Sequence, residues 1–228
     1  HPVLDRLSHP DPDERRQACL DAALDPSAVI LVDALGEALG DADPAVARAA
    51  GEALARIGRV HDAVTPVLRR ALTSRAPRCR SEAAFASAQL EPPTLRWLPA
   101  LIEALAAPES DVRWRAARLV VAAGRIHAEV LPLVTGLLGS DPTPRVRRMA
   151  AHCLRELAPG QPETAAALLR ATRDPDPSVR RAALTNLAST DDGDPSVASR
   201  LAEVASQDSD PASRALADRS LARIRGAQ

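Results

Sequence analysis

The sequence predicts an all-α chain of about seven stacked helix pairs, and three observations carry that expectation. Alanine supplies 47 of the 228 residues and glycine only 10. A 14-residue motif is written seven times without gaps, and an apolar segment of helical spacing precedes each copy after the first. Alanine has the best helix propensity because it has no side-chain entropy to lose. A unit this short cannot bury its own apolar face, so neighbouring units must stack.

The seven copies begin at residues 11, 43, 76, 109, 143, 176 and 210, the clearest being "DPSVRRAALTNLAS". Their common reference position holds Glu14, Val46, Cys79, Val112, Val146, Val179 and Ser213, at intervals of 32, 33, 33, 34, 33 and 34 residues. Four residues on, every copy has alanine: Ala18, Ala50, Ala83, Ala116, Ala150, Ala183 and Ala217. The apolar positions fall at the reference, +4, +5 and +8, one face of a helix. Proline stands two before the reference in six copies, and an acid stands just ahead of the helix in six. That pairing starts a helix: the carboxylate caps free N–H groups, and proline fits the first turn.

Taken in chain order, the first unit opens with the stunted "PVLDRL", and Glu14 replaces the usual valine; it is either a polar cap or the remnant of a longer stack. Units two to seven open with "AVILVDALGEAL", "AVTPVLRRAL", "TLRWLPALIEAL", "EVLPLVTGLL", "TAAALLRAT" and "SVASRLAEVA". Pro66, Pro99 and Pro132 recur at intervals of 33 near the starts of three of these helices. The position after the reference is arginine in six copies (15, 80, 113, 147, 180 and 214), with Ala47 the exception. With the acids Asp11, Asp41, Asp43, Glu109, Asp141, Asp174, Asp176, Asp208 and Asp210, it predicts an Asp–Arg ladder between neighbouring units. The turn "RRALTSRAPRCR" (69–80) has five arginines and no acid, and interrupts that ladder. "STDDGDPS" (189–196) reads as a loop that caps the next helix, without the ligand periodicity of a calcium loop. Asp218 stands in an otherwise small or apolar column, as in a last unit that nothing covers.

The signature D-x-D-P-x-V-R-x-x-A-A-x-x-L, best kept at "DPDPSVRRAALTNL" (174–187), resembles HEAT repeats, in particular the short phycobilin-lyase type. The resemblance covers nearly the whole chain and implies a single domain, 1–228, wound as a right-handed α-α superhelix (a HEAT-like solenoid). It also implies that the second helices line an inner, concave wall. The period is shorter than the roughly 40–47 residues usual for HEAT and armadillo units.

Composition narrows the function. All 29 basic residues are arginine, and with 30 acids the net charge is -1, so the chain is no polycation. Arginine without lysine and abundant alanine point to a GC-rich, bacterial coding source. Cys19, Cys79 and Cys153 are odd in number and far apart, as buried thiols of a reducing, cytoplasmic compartment would be. No apolar run is long enough to span a bilayer, and no leader pattern is present, although the chain begins at His1 rather than Met. Phosphate-binding glycine loops, nucleophile elbows and metal-ligand spacings are absent too, so no catalytic, metal or cofactor site is expected.

Column positions sort the few aromatics. Trp97 shares a column with Val64 and Val130, and is expected in the core. Trp114 stands at +2 with Arg16, Arg48, Ser81, Arg148, Arg181 and Ala215, a polar column. Phe85 stands at +6 with Leu20, Glu52, Arg118, His152, Thr185 and Arg219. Positions +2 and +6 are one helical turn apart and form one exposed stripe. It carries six arginines against Glu52, so charge is segregated although the whole chain is nearly neutral. Arginine on a helix is often only a solvated face. Arg48, Phe85, Trp114, Arg118, Arg148, His152 and Arg181 are the expected partner-binding residues.

The leading reading is a protein-interaction scaffold, not an enzyme, gripping an acidic segment or helix of a protein partner. The alternative is nucleic-acid binding of the DNA-glycosylase-like kind, for which Glu52 and Glu156 are the groove carboxylates; net charge and scarce stacking platforms oppose it. The resemblance adds a third, an accessory to bilin attachment.

Overall fold

A computed structural model of the chain describes residues 1–187 and 195–226, with side chains up to Arg223. The acidic turn at 189–196 thus lies, up to residue 194, outside the described residues. Regular structure among the described residues is helical throughout, and it divides into two compact units, His1–Ala104 and Leu105–Gln228.

The first unit comprises α1 (Pro2–Leu7), α2 (Pro12–Ala22), α3 (Val32–Ala38), α4 (Pro44–Gly58), α5 (Val64–Ala71), α6 (Pro77–Ser87) and α7 (Leu98–Ala104). Short 3-10 turns at Ala28–Leu31 and Leu95–Trp97 lead into α3 and α7. The second unit comprises α8 (Ser110–Gly124), α9 (Val130–Ser140), α10 (Pro144–Leu157), α11 (Pro162–Ala171), α12 (Pro177–Leu187), α13 (Pro195–Gln207) and α14 (Pro211–Gly226). Each even-numbered helix is one copy of the repeated motif, and six of the seven begin on proline. Within the first unit α1, α3 and α5 pack on α2, α4 and α6, while α2, α4 and α6 pack on one another in order. Within the second, α9, α11 and α13 pack on α10, α12 and α14, and α8, α10, α12 and α14 form the same succession. Each unit is therefore a solenoid stack.

All seven column alanines are fully buried. A methyl group there lets the facing helices close up, and the larger core residues fill the layers between: Leu35, Leu54, Trp97 and Leu101 in the first unit, Met149, Leu154, Leu168 and Leu184 in the second. Gly124 marks a further close approach, since a Cβ added there would run into the Leu157 side chain. Cys19, Cys79 and Cys153 are free and buried, and burial pushes the Cys19 and Cys153 thiols up to about 12.

The ladder is present, and the two aspartates of D-x-D-P divide the work. The second caps its own helix: Asp43 accepts from the Ala45 and Val46 amides (2.8 and 3.3 Å), and Asp176 from Ser178 (2.8 Å). The first receives the arginine of the preceding repeat. Arg147 donates through Nε and Nη2 to Asp174 (2.7 and 2.8 Å), and its Nη1 donates to the Asp141 carbonyl (2.7 Å). Arg15 grips Asp41 and Arg180 grips Asp208 in the same bidentate way. Asp41, Asp174 and Asp208 each also accept the backbone N–H two residues on (2.8 Å). These pairs are more sheltered than surface ion pairs, the Arg147 and Asp174 side chains being 11% and 7% exposed.

Two rungs differ. Where Ala47 replaces the arginine, the acid position holds Ser74, and Arg78 instead reaches back to the Asp41 and Ala42 carbonyls (3.1 and 2.6 Å). Arg80, facing no turn acid, takes Glu103 of α7 (Nε–Oε2 3.0 Å).

Candidate protein-binding site

The exposed stripe survives best on α8 and α10. Trp114, in the second turn of α8, is 47% exposed, as its polar column requires. Its ring lies 5.1 Å from that of His152, centroid to centroid, at 50° between planes. Position +2 of one repeat thus meets position +6 of the next. Asn186, on α12, donates through Nδ2 to the Ala182 carbonyl (2.8 Å), so an N–H also faces His152 Nδ1 at 3.2 Å. Nδ1 accepts, which places the imidazole proton on Nε2. Burial holds His152 below the usual histidine range, and Arg155 and Arg148 add to the effect.

Between α8 and α10 runs a groove of about 370 Å³, lined along α8 by Trp114, Ala117, Arg118, Val121 and Arg125, and along α10 by His152, Cys153, Arg155 and Glu156. Its floor is apolar and its rim cationic. Glu156 is occupied by Arg155 (2.5 Å), whereas Arg118 and Arg125 have no carboxylate within ion-pair distance among the described residues. Arg148, one turn before His152, is likewise unpaired and lines an adjacent cavity of about 410 Å³ with Thr143, Pro144, Arg145, Asp176 and Ser178.

At the N-terminal end of this face a ladder rung is open. Arg113 and Asp141 occupy the rung positions, yet they form no pair. Arg113 Nη1 donates to the Ala107 and Pro108 carbonyls (2.7 Å each), while its Nε is buried without an acceptor. Asp141 accepts the Thr143 amide (2.8 Å). Arg145 Nη1 takes the neighbouring carbonyl, Ala106 (2.8 Å). Burial lowers the Arg113 pKa, and the positive charges of Arg148 and Arg145 lower it further, with Glu109 and Asp111 acting in the opposite sense.

Four of the seven expected residues, Trp114, Arg118, Arg148 and His152, therefore share one face of the second unit. Arg181 is on α12, but its charge is spent on Asp210 (2.9 Å). Arg48 is half-buried on α4 of the first unit. Phe85 corrects the column reading: it is 4% exposed, a core residue. The cause is α6 itself, where Ser81, Ala83, Ala84, Ala86 and Ser87 are all small and buried, so that α4, α5 and α7 close around the helix. Val121 and Arg125 were legible but unread, since 114, 118, 121 and 125 share one helical face. Asn186 had a signal too, an amide at a position held by small or apolar residues in five other copies.

Among the described residues no three of His, Cys, Asp and Glu gather as metal ligands, and no helix is long and apolar enough to cross a membrane. The fold is similar to that of the archaeal HEAT-like repeats protein from Thermococcus onnurineus NA1, at 15% identity over 96% of this chain and 98% of that one, with a TM-score of 0.52. The complex of CpcE and CpcF of phycocyanin lyase from Nostoc sp. PCC7120 aligns at 21% identity over 98% and 91% of the two chains (TM-score 0.42). A designed armadillo repeat protein in complex with the peptide (KR)4 aligns at 17% over 83% and 98% (TM-score 0.41). No curated protein matches the sequence. The HEAT repeats family pattern matches residues 1–88 and 98–188, and the chain belongs to that family.

Proposed function

We propose that the α8–α10 face docks a protein partner, an acidic segment or helix that places an apolar side chain in the groove. One observation carries the reading: a half-exposed Trp114, steadied by His152, stands over an apolar floor beside arginines that no carboxylate among the described residues neutralises. A large aromatic at the centre of a water-excluding pocket is the usual anchor of an interface. Arginine adds carboxylate recognition through its planar fork. The repeat stack supplies a rigid surface, so little ordering is required on this side.

The reading is tested by titrating a panel of acidic helical peptides, each carrying one leucine or phenylalanine, against the wild-type chain, Trp114→Ala and Arg118→Glu. Binding that both variants weaken at least tenfold, with circular dichroism unchanged, supports it. Equal binding by all three chains overturns it. Capture of duplex or single-stranded oligonucleotides at moderate salt, with no peptide binding, would replace it by the nucleic-acid reading.

A further inference from the structure

The arginine of the open rung and its two neighbouring arginines pair with no carboxylate among the described residues. At Arg15, Arg147 and Arg180 the same sequence position holds a carboxylate through Nε and Nη2, while Nη1 is tied to the turn behind it. Arg113 keeps the backbone half of that arrangement and lacks the carboxylate half. Arg145 sits on the adjacent carbonyl, and Arg148 shares a cavity with Arg145, so three guanidiniums collect around the N-terminal end of α10. Asp176 also borders that cavity, but one of its oxygens already caps α12 through the Ser178 amide and hydroxyl (2.8 and 2.6 Å). The Thr143 side chain lines the same space and makes no capping bond.

We infer that Arg113, Arg145 and Arg148 form a carboxylate-binding site, filled by an aspartate or glutamate of the docked partner. The inference rests on the docking reading above and deepens it. Arg148 and Arg145 repel the positive charge of the half-buried Arg113, and an entering anion relieves that repulsion. Aspartate is what this position of the repeat takes at Arg15, Arg147 and Arg180, and a carboxylate matches the guanidinium fork. Arg148 and His152 lie four residues apart on α10, about 6 Å along its axis. A partner helix running alongside would therefore present its acid and its groove-filling apolar residue about one turn apart.

The test is a titration with hexaglutamate, followed through the arginine Nε–H signals in nitrogen-15 spectra. The Arg113, Arg145 and Arg148 signals should move together, while those of Arg147 and Arg180, which already hold aspartates, stay in place. Arg145→Gln with Arg148→Gln, both outside the ladder, should weaken the titration at least tenfold with helicity retained. Hexaglutamate shifts spread evenly over all arginines, or undiminished in the double variant, overturn the site. Inorganic phosphate serves as a second arm: if it moves the three signals and hexaglutamate does not, the site is for phosphate and the carboxylate assignment falls. The docking reading is judged separately, because leucine-bearing peptides that lose affinity with Trp114→Ala but leave the three signals unmoved retain the groove and remove this site.

Discussion

Trp114 and His152 meet across two successive repeats, their ring centroids 5.1 Å apart, with the imidazole fixed on its far side by Asn186 of a third. The contact gives the site an optical reporter. Trp97, the other tryptophan, is fully buried, so acrylamide should quench one class of indole and spare the other. Trp114→Phe should leave only the protected class, with the far-ultraviolet spectrum unchanged.

The same contact should respond to acid. His152 has a folded-state pKa below the ordinary histidine value of about 6.5, because burial penalises its charged form. Between the two values the unfolded chain binds more protons than the folded one. The associated stability is therefore complete above about pH 6.5 and declines as pH falls toward the folded value. Trp114 emission should drop as the imidazolium forms, with a midpoint below 6.5. His152→Phe should abolish the step; a midpoint above 6.5 would contradict the buried, Nε2-protonated assignment.

Ladder pairs should matter more than surface pairs. Asp174→Ala leaves the Arg147 Nε and Nη2 without acceptors in a sheltered site, at a cost of about 1–3 kcal/mol in urea unfolding. Arg70 and Asp33 also pair at 2.7 Å, but both are well exposed. Asp33→Ala should change stability by less than about 0.5 kcal/mol.

Acid should also act on the rungs themselves. Hydrogen bonds from Arg15 and Arg180 hold the Asp41 and Asp208 carboxyls below the usual carboxylate range. Their contribution is present above about pH 4, the unfolded value, and is lost as pH falls through the folded values. Asp208→Asn should flatten the acid limb of the stability profile and leave the limb near neutrality in place.

The alanine column should tolerate nothing larger. Ala150→Leu overfills a fully buried helix crossing and is expected to cost about 1–3 kcal/mol or more, whereas Ala166→Leu, on an exposed face of α11, should be nearly neutral.

These contrasts mark what the sequence could convey. Helix starts, the alanine column, the ladder and buried Trp97 were legible because each is set by the repeat itself, and equal spacing places equal residues in equal surroundings. Phe85 was misread for the same reason: its column is exposed elsewhere, but α6 carries small residues on every side and its neighbours close over it. The open rung at Arg113 could not be read, since both partners are present in the sequence and only their geometry separates them. The role of Asp174 was half visible; that the first aspartate of D-x-D-P serves the preceding repeat while the second serves its own helix depends on which oxygen faces which donor.

A single carboxylate that simultaneously closes its own turn and clasps the unit before it makes length, rather than residue identity, the tightly held quantity. Duplicating or excising a whole block of about 33 residues keeps every clasp opposite its arginine. Adding one residue to a turn such as 174–176 slides the carboxylate off both donors at once. Lineages of this protein are thus free to lengthen or shorten by entire blocks, but not by single steps inside the acidic turns.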